Sequence, residues 1–193
     1  FHNIPVDARQ DSPENPFGMD EACQNCPALC ETRERVVHGW GDVGADFLFV
    51  GERPDEAADG GERPFAGSSE MTIVLEELGF LTDDPDEPIT NAFLTHITRC
   101  RDPDRGPTDE EIANCEPFLN AEIRMINPEI IVPVGERVLR ELATEYTTTP
   151  ADEFGHPDDH ACTIRGRGFE LVPMVEPSQA TEDQIEAFRE HFR

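Results

Sequence analysis

The stretch that decides the fold runs from Phe47 to Gly67 and reads FLFVGERPDEAADGGERPFAG. Its first four residues, Phe47 to Val50, form a short apolar run of the length typical of a buried strand, and Gly51 ends it. The remainder is a carboxylate-rich loop that leads towards a helix. Open α/β sheets bind ligands at loops of this kind, which follow the carboxyl ends of buried strands. We therefore expect this loop to carry the functional site.

Three further apolar runs predict strands, at Ala92–Thr98, Glu129–Val134 and Phe169–Val175. A segment with helical periodicity follows each of the four strands. Strands that alternate with helices form parallel sheets covered on both faces. The sequence therefore predicts an α/β fold with a three-layer α/β/α architecture and a four-stranded, mostly parallel central sheet. The four strand exits should gather along one edge of that sheet.

Local signals place the ends of the helices. Ser68 or Ser69 can cap the helix that follows the loop, and capping-box sequences begin at Thr108 and Thr181. Pro117 lies within the segment that follows Thr108, and we expect it to end one helix and to open another.

Proline, aspartate and asparagine punctuate residues 1–18, which we expect to form a flexible N-terminal arm, with residues 19–193 forming one domain. No apolar run is long enough to span a membrane, and the first residues lack the pattern of a secretory signal. We expect a cytoplasmic monomer that does not associate with membranes.

The charge balance is extreme, with 42 acidic residues against 15 basic ones and a formal net charge of −27. The basic residues are all arginine. The carboxylates are spread over apolar, periodic segments and do not form one block, which favours a folded halophilic protein from a high-salt cytoplasm over a disordered acidic tail. At molar salt the screening length is about 3 Å, so net charge does not exclude DNA as a partner.

Four of the six cysteines form two pairs. Cys23 and Cys26 have C-x2-C spacing, whereas Cys100 follows a strand and Cys115 lies in a helical segment. Two such pairs can close one four-thiolate metal site, and the spacing alone fits structural zinc and an iron-sulfur cluster equally well. Reduced thiols without metal remain an alternative, and Cys30 is a rival fourth ligand.

Five segments in their order along the chain resemble the iron-sulfur, family 4 type uracil-DNA glycosylases, and the resemblance extends from about residue 17 to the end. They read CQNCPALCETR, GERPDEAADGGERPFAG, THITRCRDPDRGPTDEEIANCEPFL, NPEIIVPVG and EPS. The resemblance implies an enzyme that flips a deaminated base out of single-stranded or duplex DNA and hydrolyses its N-glycosidic bond in base excision repair. It also implies a [4Fe-4S] cluster whose ligands are Cys23, Cys26, Cys100 and Cys115.

The same resemblance assigns residues to the site. Phe65 matches the phenylalanine that stacks on the base, and Gly51 with Glu52 matches the first motif. Asp59 matches an acidic position after that motif. Pro177 and Ser178 match the last motif, whose backbone and hydroxyl meet a DNA phosphate.

Four positions depart from the family pattern. Asp55 replaces a glycine, Ala58 a glutamate, His96 an asparagine that reads the base edge, and Glu176 a histidine that steadies the departing base. One hypothesis is an active glycosylase with a rebuilt site, in which Glu52, Asp59, His96 and Glu176 are catalytic and Gly51, Phe65 and His96 bind the base. The alternative is a catalytically silent iron-sulfur paralogue that acts as a nucleic-acid-binding module. Under either hypothesis we expect a divergent, haloarchaeal paralogue of the family. Five arginines fit either hypothesis or a solvated surface: Arg99, Arg101, Arg105, Arg165 and Arg167.

Overall fold

The computed structural model describes residues 12–84, 86–147, 161, 163–166 and 168–192. Its centre is a six-stranded sheet with the order β1-β3-β2-β4-β6-β5. The strands are β1 (Trp40–Gly41), β2 (Phe47–Gly51), β3 (Ala92–His96), β4 (Ile130–Pro133), β5 (Ile164–Arg165) and β6 (Glu170–Leu171). The helices are α1 (Pro27–Thr32), α2 (Glu56–Asp59), α3 (Ser69–Glu77), α4 (Asp109–Ile126), α5 (Glu136–Tyr146) and α6 (Glu182–His191).

The four predicted strands are present as β2, β3, β4 and β6, and neighbouring members of this set pair in parallel. The sheet has two strands more than the four predicted. β1 pairs antiparallel with β3 at one edge, and β5 pairs antiparallel with β6 at the other. Each added strand is two residues long and has too few residues to show a period. The parallel α/β core that the sequence predicts is confirmed.

Alternation along β2 explains the two helical layers. Phe49 points into one core, which contains Met71 and Leu75 of α3 and Phe188 of α6. Leu48 and Val50 point into the other core, formed with residues of α4 and α5. Both faces of the sheet are therefore covered, as expected for parallel strands.

Two helix predictions have different outcomes. Ser68 is the residue that caps α3, since its side chain accepts a hydrogen bond from the Met71 backbone. Pro117, in contrast, does not divide its helix, because α4 is continuous from Asp109 to Ile126. Pro117 is exposed, whereas residues on either side of it along the helix are buried against the sheet. The packing of these flanking residues offsets the hydrogen bond that proline cannot donate.

Part of the predicted N-terminal arm contacts the sheet. The Gly41 N–H donates to the Pro13 carbonyl and the Asn15 N–H donates to the Gly39 carbonyl. The ring of Phe17 lies 5.9 Å from that of Phe93. Residues 1–11 of the arm lie outside the described residues, and its boundary stays a prediction.

No helix in the described part of the chain has the length and apolar character required to cross a bilayer.

Candidate active site

A cleft of about 630 Å³ opens at the edge of the sheet where the parallel strands end. The exits of β2, β3, β4 and β6 all contribute to its lining, as the strand order predicts. Six of the predicted site positions line it: Gly51, Glu52, Phe65, His96, Glu176 and Ser178. The prediction that the strand exits meet is therefore confirmed, and these side chains share one cavity.

The base-binding residues of the prediction are in direct contact. The centroids of the Phe65 and His96 rings lie 5.2 Å apart, and the ring planes are inclined by 40°. A Cβ atom placed on Gly51 would lie 2.9 Å from carbon atoms of both rings. Because real Cβ atoms do not approach other atoms so closely, only glycine fits at the end of β2 without moving them.

Phe65 itself has an unusual backbone. Its φ angle is 62°, in the left-handed region that side-chain-bearing residues seldom adopt. Such a conformation persists only where the surrounding structure holds it, and it is frequent at ligand-binding sites. The loop therefore presents Phe65 in a geometry that its local preference would not select.

His96 is the most buried titratable group of the cleft, with 1% of its surface exposed. Its Nδ1 atom is buried and has no hydrogen-bond partner among the residues that the structure describes. Burial, together with the nearby charge of Arg99, lowers the pKa of His96 to about 3. The imidazole is therefore neutral at neutral pH, with one nitrogen as donor and the other as acceptor.

Two carboxyl groups face the same cavity. The Glu52 carbonyl accepts hydrogen bonds from the backbone and the hydroxyl of Thr98, which fixes Glu52 beside the exit of β3. Burial raises the pKa of Glu176, and the negative charges of Glu52, Asp55 and Glu70 raise it further. A carboxyl group with a raised pKa takes up a proton more readily than one in water.

Comparison with known proteins identifies the family of this chain. A family model described as the uracil DNA glycosylase superfamily matches residues 38–193. The chain belongs to this superfamily. It is 32% identical over 170 residues to a type-4 uracil-DNA glycosylase of Thermotoga maritima, which covers 86% of this chain and 82% of the relative.

Further glycosylases show the same similarity. A type-4 uracil-DNA glycosylase of Sulfurisphaera tokodaii is 36% identical over 151 residues, covering 77% of this chain and 62% of the relative. A type-5 uracil-DNA glycosylase of Pyrobaculum aerophilum is 28% identical over 183 residues, covering 81% of this chain and 78% of the relative. The type-4 relatives support the family 4 resemblance.

Two predicted site residues of this glycosylase-superfamily chain do not line the cleft. Asp59 is buried, and its Oδ1 atom accepts hydrogen bonds from the backbone of Glu34 and of Arg35, at 3.0 and 3.4 Å. It therefore fixes the segment after α1, and this placement does not support a role in positioning water. Pro177 is buried at the start of the turn that presents Ser178 to the cavity.

The four predicted cluster ligands come from α1 and its approach, from the exit of β3 and from α4. Cys26 and Cys100 are buried in a small apolar cluster with Leu29 and Val36, and Cys23 packs against it. Cys115 is also buried, and its pKa is raised to about 11 by burial and by the charges of Cys26 and Cys100. The four thiols are therefore neighbours.

Two polar side chains point at these sulfurs. Arg33 Nη1 donates to Cys100 Sγ at 3.2 Å, and Asn114 Nδ2 donates to Cys26 Sγ at 3.5 Å. Donors aimed at sulfur suit thiolates that ligate a metal centre. Within the described ranges, no three His, Cys, Asp or Glu residues are placed to hold a single metal ion.

A buried ion pair joins Arg99, which follows β3, to Glu122 of α4, and no sequence pattern indicates it. Arg99 and Glu122 are each 1% exposed, with Nη2 and Oε1 2.5 Å apart. Thr95 Oγ1 accepts from Arg99 at 2.7 Å and donates to Glu122 at 2.7 Å. Arg99 is therefore internal and does not contact DNA, contrary to one of the options that its sequence position allowed.

The other arginines near Cys100 differ from Arg99. Arg105 pairs with Glu111 and with Asp102. Arg101 lines the cleft, and its side chain has no hydrogen bond or ion pair among the described residues. Arg167 and the side chain of Arg165 lie outside the described part of the chain.

Proposed function

We propose that this chain is a uracil-DNA glycosylase that flips a deaminated base into the cleft and hydrolyses its N-glycosidic bond in base excision repair, using a rebuilt active site. The observation that carries the proposal is the packing of Gly51, Phe65 and His96 at the exits of two parallel strands. This packing offers one aromatic face and one neutral imidazole edge to a flipped base. Stacking and edge hydrogen bonds of this kind offset the cost of unpairing the base.

The cavity also holds groups suited to the hydrolysis. In the proposed reaction the bond between C1′ of the sugar and the base nitrogen breaks, and its electron pair leaves with the base. The oxygen of a water molecule bonds to C1′, and Glu52 accepts the proton of that water. Glu176 in its neutral form donates a hydrogen bond to the departing base, whereas its ionised form would repel the growing negative charge.

We assign the contact with a DNA phosphate to Ser178, with the unpaired Arg101 as a second contact. Ser178 is exposed at the rim of the cleft. Pro177 is the buried first residue of the same turn. The rest of the surface is strongly negative and repels DNA, but concentrated salt screens this repulsion. We propose that the protein acts as a cytoplasmic monomer under halophilic conditions.

We also propose that Cys23, Cys26, Cys100 and Cys115 hold a [4Fe-4S] cluster that stabilises the packing of α1 against α4. The cluster would supply structure and no reaction step. A brown protein with broad absorbance near about 400 nm after anaerobic purification is the expected result. A colourless protein with stoichiometric zinc would overturn this assignment.

The alternative is a nucleic-acid-binding module without catalytic activity. The observation that favours it is the density of carboxylates in the cleft, which oppose the departure of an anionic base. In the family pattern, a glutamate stands at the position of Ala58 and a histidine at that of Glu176.

One assay separates the two functions. Release of uracil, hypoxanthine and xanthine is measured from single-stranded and duplex DNA in molar potassium chloride, with the wild type and with Phe65→Ala. Loss of base–aromatic stacking should slow release by roughly 10- to 100-fold. Phe47→Ala, which removes a ring that packs against Phe80 and Phe192 away from the cleft, is the matched control. Absence of base release by the wild type, with weaker DNA binding by Phe65→Ala, would favour the binding module.

A further inference from the structure

Asp55 bridges two parts of the loop that carries Phe65. One carboxylate oxygen, Oδ1, accepts a hydrogen bond from the Ala58 backbone at 2.8 Å and so caps α2. The other, Oδ2, accepts from the Gly67 backbone at 2.9 Å. One side chain therefore ties the start of the loop to its end, twelve residues further along the chain.

The contact with Gly67 is close. A Cβ atom on Gly67 would lie 2.9 Å from Oδ2 of Asp55. The absence of a side chain at Gly67 lets the carboxylate reach the backbone N–H directly. Charge-assisted hydrogen bonds of this kind are shorter and stronger than bonds between neutral groups.

A second anchor precedes Phe65. Arg63 donates to the Pro64 carbonyl at 2.9 Å and to Thr72 Oγ1 of α3 at 3.0 Å. Its guanidinium lies over the ring of Trp40, 5.9 Å from the centroid. Phe65 is therefore flanked by one anchor two residues before it and by another two residues after it.

We propose that Asp55 is a positioning residue, which holds the turn after Phe65 and thereby keeps the Phe65 ring in the geometry that stacks on a flipped base. This inference rests on the proposed function of the cleft. Phe65 has a left-handed backbone, so its conformation depends on the surrounding restraints. The family pattern has glycine at the position of Asp55, and glycine has no side chain that could accept either hydrogen bond.

Asp42 offers a matched control. Its two oxygens accept from the backbone of Gly44 and of Asn91, each at 2.9 Å. Asp42 thus bridges two backbone segments as Asp55 does, but it does not line the cleft. Asp42→Ala removes the same number of hydrogen bonds and the same charge as Asp55→Ala.

The experiment compares the full-length wild type with Asp55→Ala, Asp55→Asn and Asp42→Ala. It measures single-turnover release of uracil from duplex DNA, affinity for the same duplex carrying thymine, and hydrogen–deuterium exchange of peptides covering residues 62–70. Asp55→Ala should slow release about tenfold and speed exchange, with thymine-DNA affinity unchanged. Asp55→Asn should be intermediate, since its amide oxygen can accept only one of the two N–H groups well. Asp42→Ala should stay within about twofold of the wild type in release.

Equal release rates for Asp55→Ala and Asp42→Ala would overturn the positioning role, whatever their stabilities. If the wild type releases no base, the proposed function fails, and the positioning role is then decided by binding. Loss of the preference for uracil-DNA over thymine-DNA in Asp55→Ala alone would support it. The same preference in both alanine variants would overturn it.

Discussion

The Phe65 ring packs against the His96 imidazole with 5.2 Å between centroids, and the end of β2 at Gly51 fits against both. The residue expected to stack on a base and the residue expected to read its edge are thus one packing unit. They come from different segments, the loop after β2 and the end of β3. A change that displaces one ring therefore displaces the other.

Gly51→Ala should abolish most activity while the protein still folds. The added methyl would lie 2.9 Å from both rings and must push them apart, because the strand backbone on the other side is fixed by pairing with β3 and β4. Misplacement of the rings by about 1 Å can lower the rate of base release by about 10²-fold. Overpacking should cost only about 1–3 kcal/mol of unfolding free energy. Uracil release and denaturant unfolding measure the two effects.

Gly44→Ala is the control for this substitution. A Cβ atom there meets only Asp42 Oδ1, at 3.5 Å, which is ordinary contact. Its release rate should match that of the wild type. A Gly51→Ala protein with wild-type activity would show that the two rings do not form the base site.

His96 should make the protein less stable as the pH falls. Its pKa is about 3 in the folded state and about 6.5 in an unfolded chain, so below about pH 6.5 only the unfolded chain takes up the proton. His96 therefore does not lower the free energy of unfolding above pH 6.5. Below that pH it lowers the free energy of unfolding by up to about 1.4 kcal/mol per pH unit. Denaturant unfolding between about pH 8 and pH 5.5 should show a steeper loss in the wild type than in His96→Asn, which keeps the smaller contribution of buried His38, whose pKa is also lowered by burial.

His191→Asn, which removes an exposed histidine that does not line the cleft, is the matched substitution for comparison. Parallel stability curves for the wild type and His96→Asn would mean that folding does not lower the pKa of His96.

The parallel core and the position of the cleft could be predicted because both follow from local sequence. Apolar runs such as Phe47–Val50 identify buried strands, and parallel strands place their exits along one edge. The short strand β1 could not be predicted, since its two residues take their conformation from pairing with Leu94 and Phe93. The helix break predicted at Pro117 is wrong, because the packing of the residues on either side of it outweighs the local cost of proline in a helix.

A site residue could be predicted only where its place in the predicted strand order is enough to bring it to the cleft. Phe65 and His96 line the cleft because the loop after β2 and the end of β3 meet at the same edge of the sheet. Asp59 lies in the same loop, but its carboxylate turns towards the backbone of Glu34, which no sequence pattern indicates. Arg99 looked like a surface cation beside Cys100, and only the fold shows Glu122 of α4 opposite it. Long-range partners of this kind decide burial and are not encoded in spacing.

Glu122→Gln should destabilise the protein strongly, by about 3–5 kcal/mol, because it leaves the buried charge of Arg99 without its partner. The amide would also place N–H groups against the Gly39 N–H, which now donates to Oε2 at 3.0 Å. Denaturant unfolding at constant salt measures the loss. Glu136→Gln breaks an ion pair with Arg140 that is about half exposed, and should cost less than about 1 kcal/mol. Equal losses in the two variants would mean that the internal pair contributes no more than a surface one.

Glu176→Gln should speed base release at neutral and alkaline pH. The glutamine is uncharged, so it removes the repulsion that an ionised Glu176 exerts on the departing base, and its amide N–H can donate in place of the protonated carboxyl. Burial and the neighbouring carboxylates raise the pKa of Glu176, so the wild type should release base faster as the pH falls through that pKa. The variant should be at least about tenfold faster than the wild type on the alkaline side and should lack this pH dependence. Glu56→Gln removes one charge from an exposed position of the same cleft and should give a much smaller gain. A slower Glu176→Gln protein would instead assign the ionised carboxylate a positive part in the reaction, as the group that activates water.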